Sequence, residues 1–188
     1  MFGTIVRIIF EKYSTVYNFA LARLKGVVLG QNCRFIGVTK YSVKESSEII
    51  IGSLCVFRST ATSNLIGINR PCIISTLSAG AKIEIGNGCG FSGTVIGAFL
   101  RIKLGNNVRC GANTLITDGD WHHDDPRAGA PRAIEIEDNV WLGEGVKILK
   151  GVHIGKNTVI GAGSVVTKNI PANVIAAGNP CRIIKDLV

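Results

Sequence analysis

The sequence predicts an all-β solenoid with one amphipathic helix in front and one protruding loop, and three observations carry that reading. From Ile136 onward two residue series share a step of six: Ile136, Leu142, Ile148, Ile154, Ile160 and Val166, and Val140, Val146, Val152, Thr158, Ser164 and Ile170. Neither a helical nor a strand period describes the whole pattern, in which glycine or asparagine turns recur between short strands, so one long helix and a flat hairpin sheet are both excluded, and stacked coils remain. The step then breaks once in the second half: Ile116 to Ile136 is twenty residues, so a stretch around 117–133 must leave the coil. Finally, 188 residues at 46% apolar composition suffice for one core.

The elements follow in order. In residues 1–26, Phe2, Ile5, Ile9, Tyr13, Val16, Ala20 and Leu24 recur at three- and four-residue steps, which predicts an amphipathic helix ending near Gly26. Its apolar stripe is expected to cap the domain or pack on a neighbouring subunit, although such a helix can also lie on a membrane surface. Arg7 interrupts the run, so neither a membrane span nor a signal peptide is predicted. Residues 27–180 form the coil domain, and 181–188 a short tail. Within the domain, 27–81 read as irregular early coils, and "IIIGSL" and "IEIGNG" keep the step loosely. Leu104, Cys110 and Ile116 restore it before the loop at 117–133. Glycine and asparagine supply the tight corners, where positive φ is tolerated.

Charge and cysteine content narrow the function classes. The net charge of +8 is front-loaded, with seven basic against three acidic residues in 1–48. Such a balance suits an anionic membrane or a phosphorylated ligand. Nucleic acid is excluded as a partner class: no basic run alternates with aromatics, and only 6% of residues are aromatic. The six cysteines fall singly, without zinc spacing, and read as reduced, buried thiols of a cytoplasmic protein, peripheral at most to the inner membrane face.

The blocks "LGEGVK", "ILKGVH", "IGKNTV" and "IGAGSV", the loop "DGDWHHDDP" and the tail "NVWLGEGVKILKGVHIGKNTVIGAGSVVTKNIPANVIAAGNPCRIIK" closely resemble the hexapeptide-repeat acyltransferases, in particular the branch of sugar and polysaccharide O-acetyltransferases. The resemblance is strong over about 82–186. It implies a left-handed parallel β-helix with three hexapeptides per turn, a homotrimer with active sites between subunits, acetyl-coenzyme A as donor, and a sugar or polysaccharide precursor as acceptor. No metal is expected at His122, His123 and Asp124, because adjacent side chains in an extended loop diverge.

The same resemblance distributes roles. His122, in "HHDDP", stands where the family keeps its general base, and an imidazole with a near-neutral pKa suits proton removal from a hydroxyl. Asp118 or Asp120 is expected to orient it, and the sequence does not choose between them. His123 is a neighbouring candidate in the acceptor site, with Trp121 offering an aromatic face to a sugar. For coenzyme A, Trp141 stands beside the pantetheine arm. Gly143, Gly161 and Ala162 supply bare backbone to that arm, and Thr167, Lys168, Arg182 and Lys185 lie in the motifs that meet phosphate. Glu144 departs from the small or serine residue usual there; its carboxylate cannot stabilise an oxyanion, so a backbone amide near Gly143 or Glu144 is expected to donate. Lys147, Lys150, His153 and Lys156 read as surface. No cysteine lies on the loop, which argues against a covalent acetyl-enzyme. The alternatives are N-acetylation of an amino sugar or an antibiotic acceptor on the same fold, and a β-helix scaffold without activity.

Overall fold

Six coils stack along one axis in the computed structural model, which describes residues 2–122 and 124–187. Helix α1 (Phe2–Leu24) leads. The first three coils are β1 (Val28–Leu29), β2 (Arg34–Ile36) and β3 (Lys40–Ser42); β4 (Glu48–Ile51), β5 (Val56–Arg58) and β6 (Ile73–Thr76); and β7 (Lys82–Ile85), β8 (Gly90–Ser92) and β9 (Val95–Ala98). The next three are β10 (Arg101–Leu104), β11 (Arg109–Ala112) and β12 (Leu115–Thr117); β13 (Ile134–Ile136), β14 (Trp141–Leu142) and β15 (Lys147–Ile148); and β16 (His153–Ile154), β17 (Val159–Ile160) and β18 (Val165–Val166). The first strands of all coils pair in parallel as one face, the second strands as another and the third strands as a last, giving the triangular section of a left-handed parallel β-helix. The second face ends in an antiparallel pair, β19 (Val174–Gly178) with β20 (Cys181–Asp186), so the C-terminal residues make a strand.

The six-residue step acts as expected: Leu142 stacks on Ile160 and Ile148 on Val166, all fully buried. Corners between the first and second faces turn through left-handed residues, and down that edge Asn107 donates to Asn139, Asn139 to Asn157 and Asn157 to Asn173, side chain to side chain, at 2.8–3.2 Å. Leu54 occupies the same corner with φ 62° and an exposed side chain. A branched residue pays for that conformation where asparagine does not. Leu54→Asn is expected to stabilise the fold by about 1 kcal/mol and to raise Tm by about 2–4 °C in a thermal melt; an unchanged or lower Tm would show that the corner is unstrained.

The early coils are more regular than their sequence suggests. Phe35, Phe57 and Phe91 stack inside them at centroid distances of 4.8 and 4.9 Å, with Phe19 of α1 edge-on to Phe35 at 6.2 Å. Each ring follows a buried cysteine two residues earlier, Cys33, Cys55 or Cys89, whose thiol donates to a carbonyl of the next coil. Aromatic and thiol columns do the work that isoleucine and valine do later. A second excursion, 59–72, interrupts these coils and hides their period; the sequence reading found only the one at 117–133.

Helix α1 caps the first coil, but with its polar side. Strand β2 is a sheet edge with unpaired backbone groups, which need partners. Thr15 Oγ1 accepts the Phe35 N–H at 3.0 Å, buried Asn18 accepts from Thr39 and donates to the Gly37 carbonyl, and Glu11 pairs with Arg34 at 2.6 Å. The expected apolar stripe, from Ile5 through Leu24, consequently faces away from the coil; Phe2 lies outside the described side chains. Among the described residues no helix is long and apolar enough to cross a membrane.

Candidate active site

The loop 117–133 leaves at the end of β12 and returns at β13, and Asp118 closes its neck. The Asp118 side chain is fully buried. Its carboxylate accepts the N–H groups of Phe99 (2.6 Å), Leu100 (3.0 Å) and Arg101 (2.6 Å), which form the corner of the preceding coil. The Asp118 carbonyl accepts from Arg132 N at 2.8 Å, tying the two ends of the loop together.

A second tie lies further out. Lys150 Nζ donates to Asp120 Oδ2 at 2.6 Å and to the Gly129 carbonyl at 3.1 Å, and Gly129 N donates to the same Asp120 oxygen at 3.0 Å. The Lys150 ammonium, then the Gly129 amide, hold the Asp120 carboxyl below the usual carboxylate range. A lowered carboxylate pKa keeps the tie intact at and above the ordinary carboxylate value and releases it only as pH falls through the lower one. Lys150, expected at the surface, is thus a loop anchor. Lys150→Met should make trypsin cleavage after Arg127 about three- to fivefold faster at neutral pH; an unchanged rate would remove Lys150 from that role.

Trp121 packs edge-to-face on Phe99 at 5.7 Å and 85°. Its ring passes over Gly97, where a Cβ would come within 3.0 Å of it, so a side chain at that coil position would press the indole outward. Half of the indole remains exposed. Trp121, His122, Leu115, Leu149 and Thr167 line a cleft of about 510 Å³ between the loop and the third face. His122 is exposed on its rim, and its ring has no hydrogen-bond partner among the described residues. Neither Asp118 nor Asp120 bonds to it; both carboxylates are occupied by the loop's own ties. Asp125 is taken up by Arg127 at 2.5 Å. His123 lies outside the described residues.

The remaining candidates lie elsewhere on the prism. Trp141 projects half-exposed from the second face, next to Arg109 on the adjacent strand. Gly143, Gly161 and Ala162 form the corner after β14 and β17, packed so closely that a Cβ on Gly143 would meet Ala162 N at 2.6 Å. The Gly143 N–H donates to the Ile160 carbonyl and the Gly161 N–H to the Ala176 carbonyl. The amides of Glu144 and Ala162, one residue later, have no acceptor among the described residues, and the Glu144 side chain is exposed. Lys168 is exposed one residue beyond Thr167, while Arg182 and Lys185 are exposed on β20. One chain therefore gathers Thr167, His122, Trp121 and Asp120 around one cleft and leaves Trp141, Arg182 and Lys185 on another face. Sequence reasoning missed Lys150, Phe99, Leu115 and Leu149, all placed by coil stacking and carrying no motif of their own.

The bacterial transferase hexapeptide family, described by six repeats, matches residues 133–168. The chain carries the bacterial transferase hexapeptide repeat. Among curated proteins this hexapeptide-repeat chain is similar to the galactoside O-acetyltransferase of Lactococcus lactis, 52% identical over 87 residues, covering 44% of this chain and 42% of that one. It is also similar to the galactoside O-acetyltransferase of Escherichia coli, 41% identical over 116 residues, covering 58% and 57%. The chain spans about half the length of the curated relatives it matches. Two solved structures share its fold. A variant of AntD, an N-acyltransferase from Bacillus cereus in complex with dTDP-4-amino-4,6-dideoxyglucose and coenzyme A, aligns with TM-score 0.63 at 18% identity over 90% of this chain and 88% of that one. A hexapeptide-repeat acetyltransferase of Vibrio cholerae, complexed with acetyl-coenzyme A, aligns with TM-score 0.55 at 22% identity over 93% and 78%. Among the described residues no three His, Cys, Asp or Glu side chains gather to hold a metal.

Proposed function

We propose that this hexapeptide-repeat chain is an acetyl-coenzyme A-dependent O-acetyltransferase acting on a hydroxyl of a sugar or polysaccharide precursor. The observation that carries the proposal is His122, held on the rim of a cleft by a doubly tied loop, with its ring free to meet a substrate. The likeness to two galactoside O-acetyltransferases supports acetyl transfer and the hydroxyl acceptor, and a neighbour in fold complexed with acetyl-coenzyme A supports the donor.

The His122 imidazole takes the acceptor's proton as the hydroxyl oxygen bonds to the thioester carbonyl carbon. It then returns that proton to the departing sulfur as the carbon–sulfur bond breaks. The open amide of Glu144 is the donor best placed for the developing oxyanion, because the Gly143 amide is used within the coil. Asp118 and Asp120 act as positioning residues through the loop backbone. Ala162 offers a second open amide to the pantetheine arm, with Gly143, Gly161 and Trp141 around it. Thr167, Lys168, Arg182 and Lys185 receive the phosphates. Because the single chain separates His122 from Trp141 and Arg182, we assign the complete site to the clefts of a homotrimer, in which a neighbour supplies the missing face. Burial pushes the Cys110 and Cys72 thiols up, so both stay protonated and unfit to carry an acetyl group.

The AntD likeness favours one second reading, transfer to an amine of an amino sugar. The test is release of coenzyme A thiol from acetyl-coenzyme A by the purified protein across sugars, amino sugars and oligosaccharides. Release that requires a hydroxyl acceptor supports the first reading, and release only with amines supports the second. No release, together with no coenzyme A binding, would leave a scaffold.

A further inference from the structure

We infer that the outer face of α1 is a docking surface for an anionic membrane, independent of the transferase reading. The polar side of this helix is fixed to β2 by Thr15, Asn18 and the Glu11–Arg34 pair, which sets the opposite side facing away from the coil. That opposite side is apolar: Ile9 is 62% exposed, Tyr13 71%, Val16 72% and Leu24 82%. At helical spacing the exposed Lys12 and Arg23 run along one border of the stripe, while Arg7 falls on the coil-facing side with Ser14 and Asn18. The only acid of the helix, Glu11, points inward to Arg34, whose guanidinium holds it ionised below the usual range. The surface is therefore an apolar band with one cationic border, formed by Lys12 and Arg23, and no acidic residue facing outward beside it.

This pattern favours a membrane as the occupant: acyl chains fill the band, and anionic headgroups meet Lys12 and Arg23, for which this face offers no acidic partner. Tyr13 and Tyr17 add rings with an apolar body and a polar tip, suited to headgroup depth. The band continues past the helix end into a cleft of about 700 Å³ lined by Phe19, Ala20, Val27, Val28 and Leu29, with Arg23 beside it. That cleft is built of aliphatic wall and one cation, the chemistry of an amphiphile with an anionic head.

The test is co-sedimentation of the full chain with phosphatidylcholine vesicles, with and without phosphatidylglycerol. Binding is expected with the anionic vesicles and to weaken strongly with salt. Lys12→Gln with Arg23→Gln should reduce partitioning about 25-fold, at about fivefold per charge, and Ile9→Asp with Val16→Asp should remove it. The charge pair keeps the test decisive if the apolar variant does not fold. Absence of binding to anionic vesicles, or binding that neither pair of substitutions reduces, would overturn the inference. So would dissociation of a wild-type oligomer by Ile9→Asp with Val16→Asp in vesicle-free solution, which would assign the face to a second copy.

Discussion

Replacing His122 by alanine is expected to lower kcat for acetyl transfer about a thousandfold, the range in which a positioned general base acts. The affinity for coenzyme A should stay unchanged, because Arg182 and Lys185 lie on the second face, away from the loop. Stability should stay unchanged too. The His122 ring is exposed and makes no hydrogen bond among the described residues, so its removal leaves no cavity and no orphaned partner. A kcat loss without a change in coenzyme A affinity or Tm separates a proton-transfer role from a structural one. With an amine acceptor the loss should be smaller, since an amine that is already deprotonated needs less help from a base.

The second large effect concerns folding. Asp118→Ala removes one carboxylate from three N–H groups at the corner of Phe99, Leu100 and Arg101. Hydrogen bonds to a charged acceptor are stronger than neutral ones, and a buried donor left without a partner loses solvation that nothing replaces. A destabilisation of about 3 kcal/mol is expected, read as a shift of the urea midpoint without a change in slope. Asp118→Asn should recover only part of it, because its amide sets a donor where the carboxylate had an acceptor. Transfer should fall along with stability, since the neck that aims the loop is lost. A midpoint shift equivalent to less than about 0.5 kcal/mol would mean that water substitutes for the carboxylate at this corner.

The two halves of the fold were unequally legible. After Ile134 each coil carries two aliphatic positions and a glycine or asparagine corner, so the step of six could be read directly. In the first three coils the same inward positions hold Cys33 and Phe35, Cys55 and Phe57, and Cys89 and Phe91, and the turn after Gly52 uses Leu54. With 59–72 inserted as well, no fixed step survives in the sequence, although the coils stack in register. The orientation of α1 was not legible for a related reason. Its apolar stripe fits a domain cap, a neighbouring subunit or a membrane alike, whereas the unpaired edge of β2 needs hydrogen-bond partners, and the helix meets it with Thr15 and Asn18.

The site shows the same division. His122 was visible because the break in the period exposed its loop, and a loop on a rigid scaffold is where reactive groups sit. The positions of Asp118 and Lys150 were not, because their partners are one coil away: Phe99 to Arg101 below Asp118, and Asp120 across from Lys150. In a solenoid such neighbours are set by coil length plus insertions, and neither quantity is written in a local motif.

The most direct test of acetyl transfer at His122 is the location of the acetyl group after a single turnover. Wild-type protein and His122→Ala are each mixed with acetyl-coenzyme A and the best acceptor, and protein and acceptor are weighed by mass spectrometry. The expected result is acetyl on the acceptor hydroxyl with wild type, acetyl still on coenzyme A with His122→Ala, and unmodified protein in both. Acetyl found on the protein, or reaching the acceptor equally fast with His122→Ala, would contradict direct transfer by this histidine.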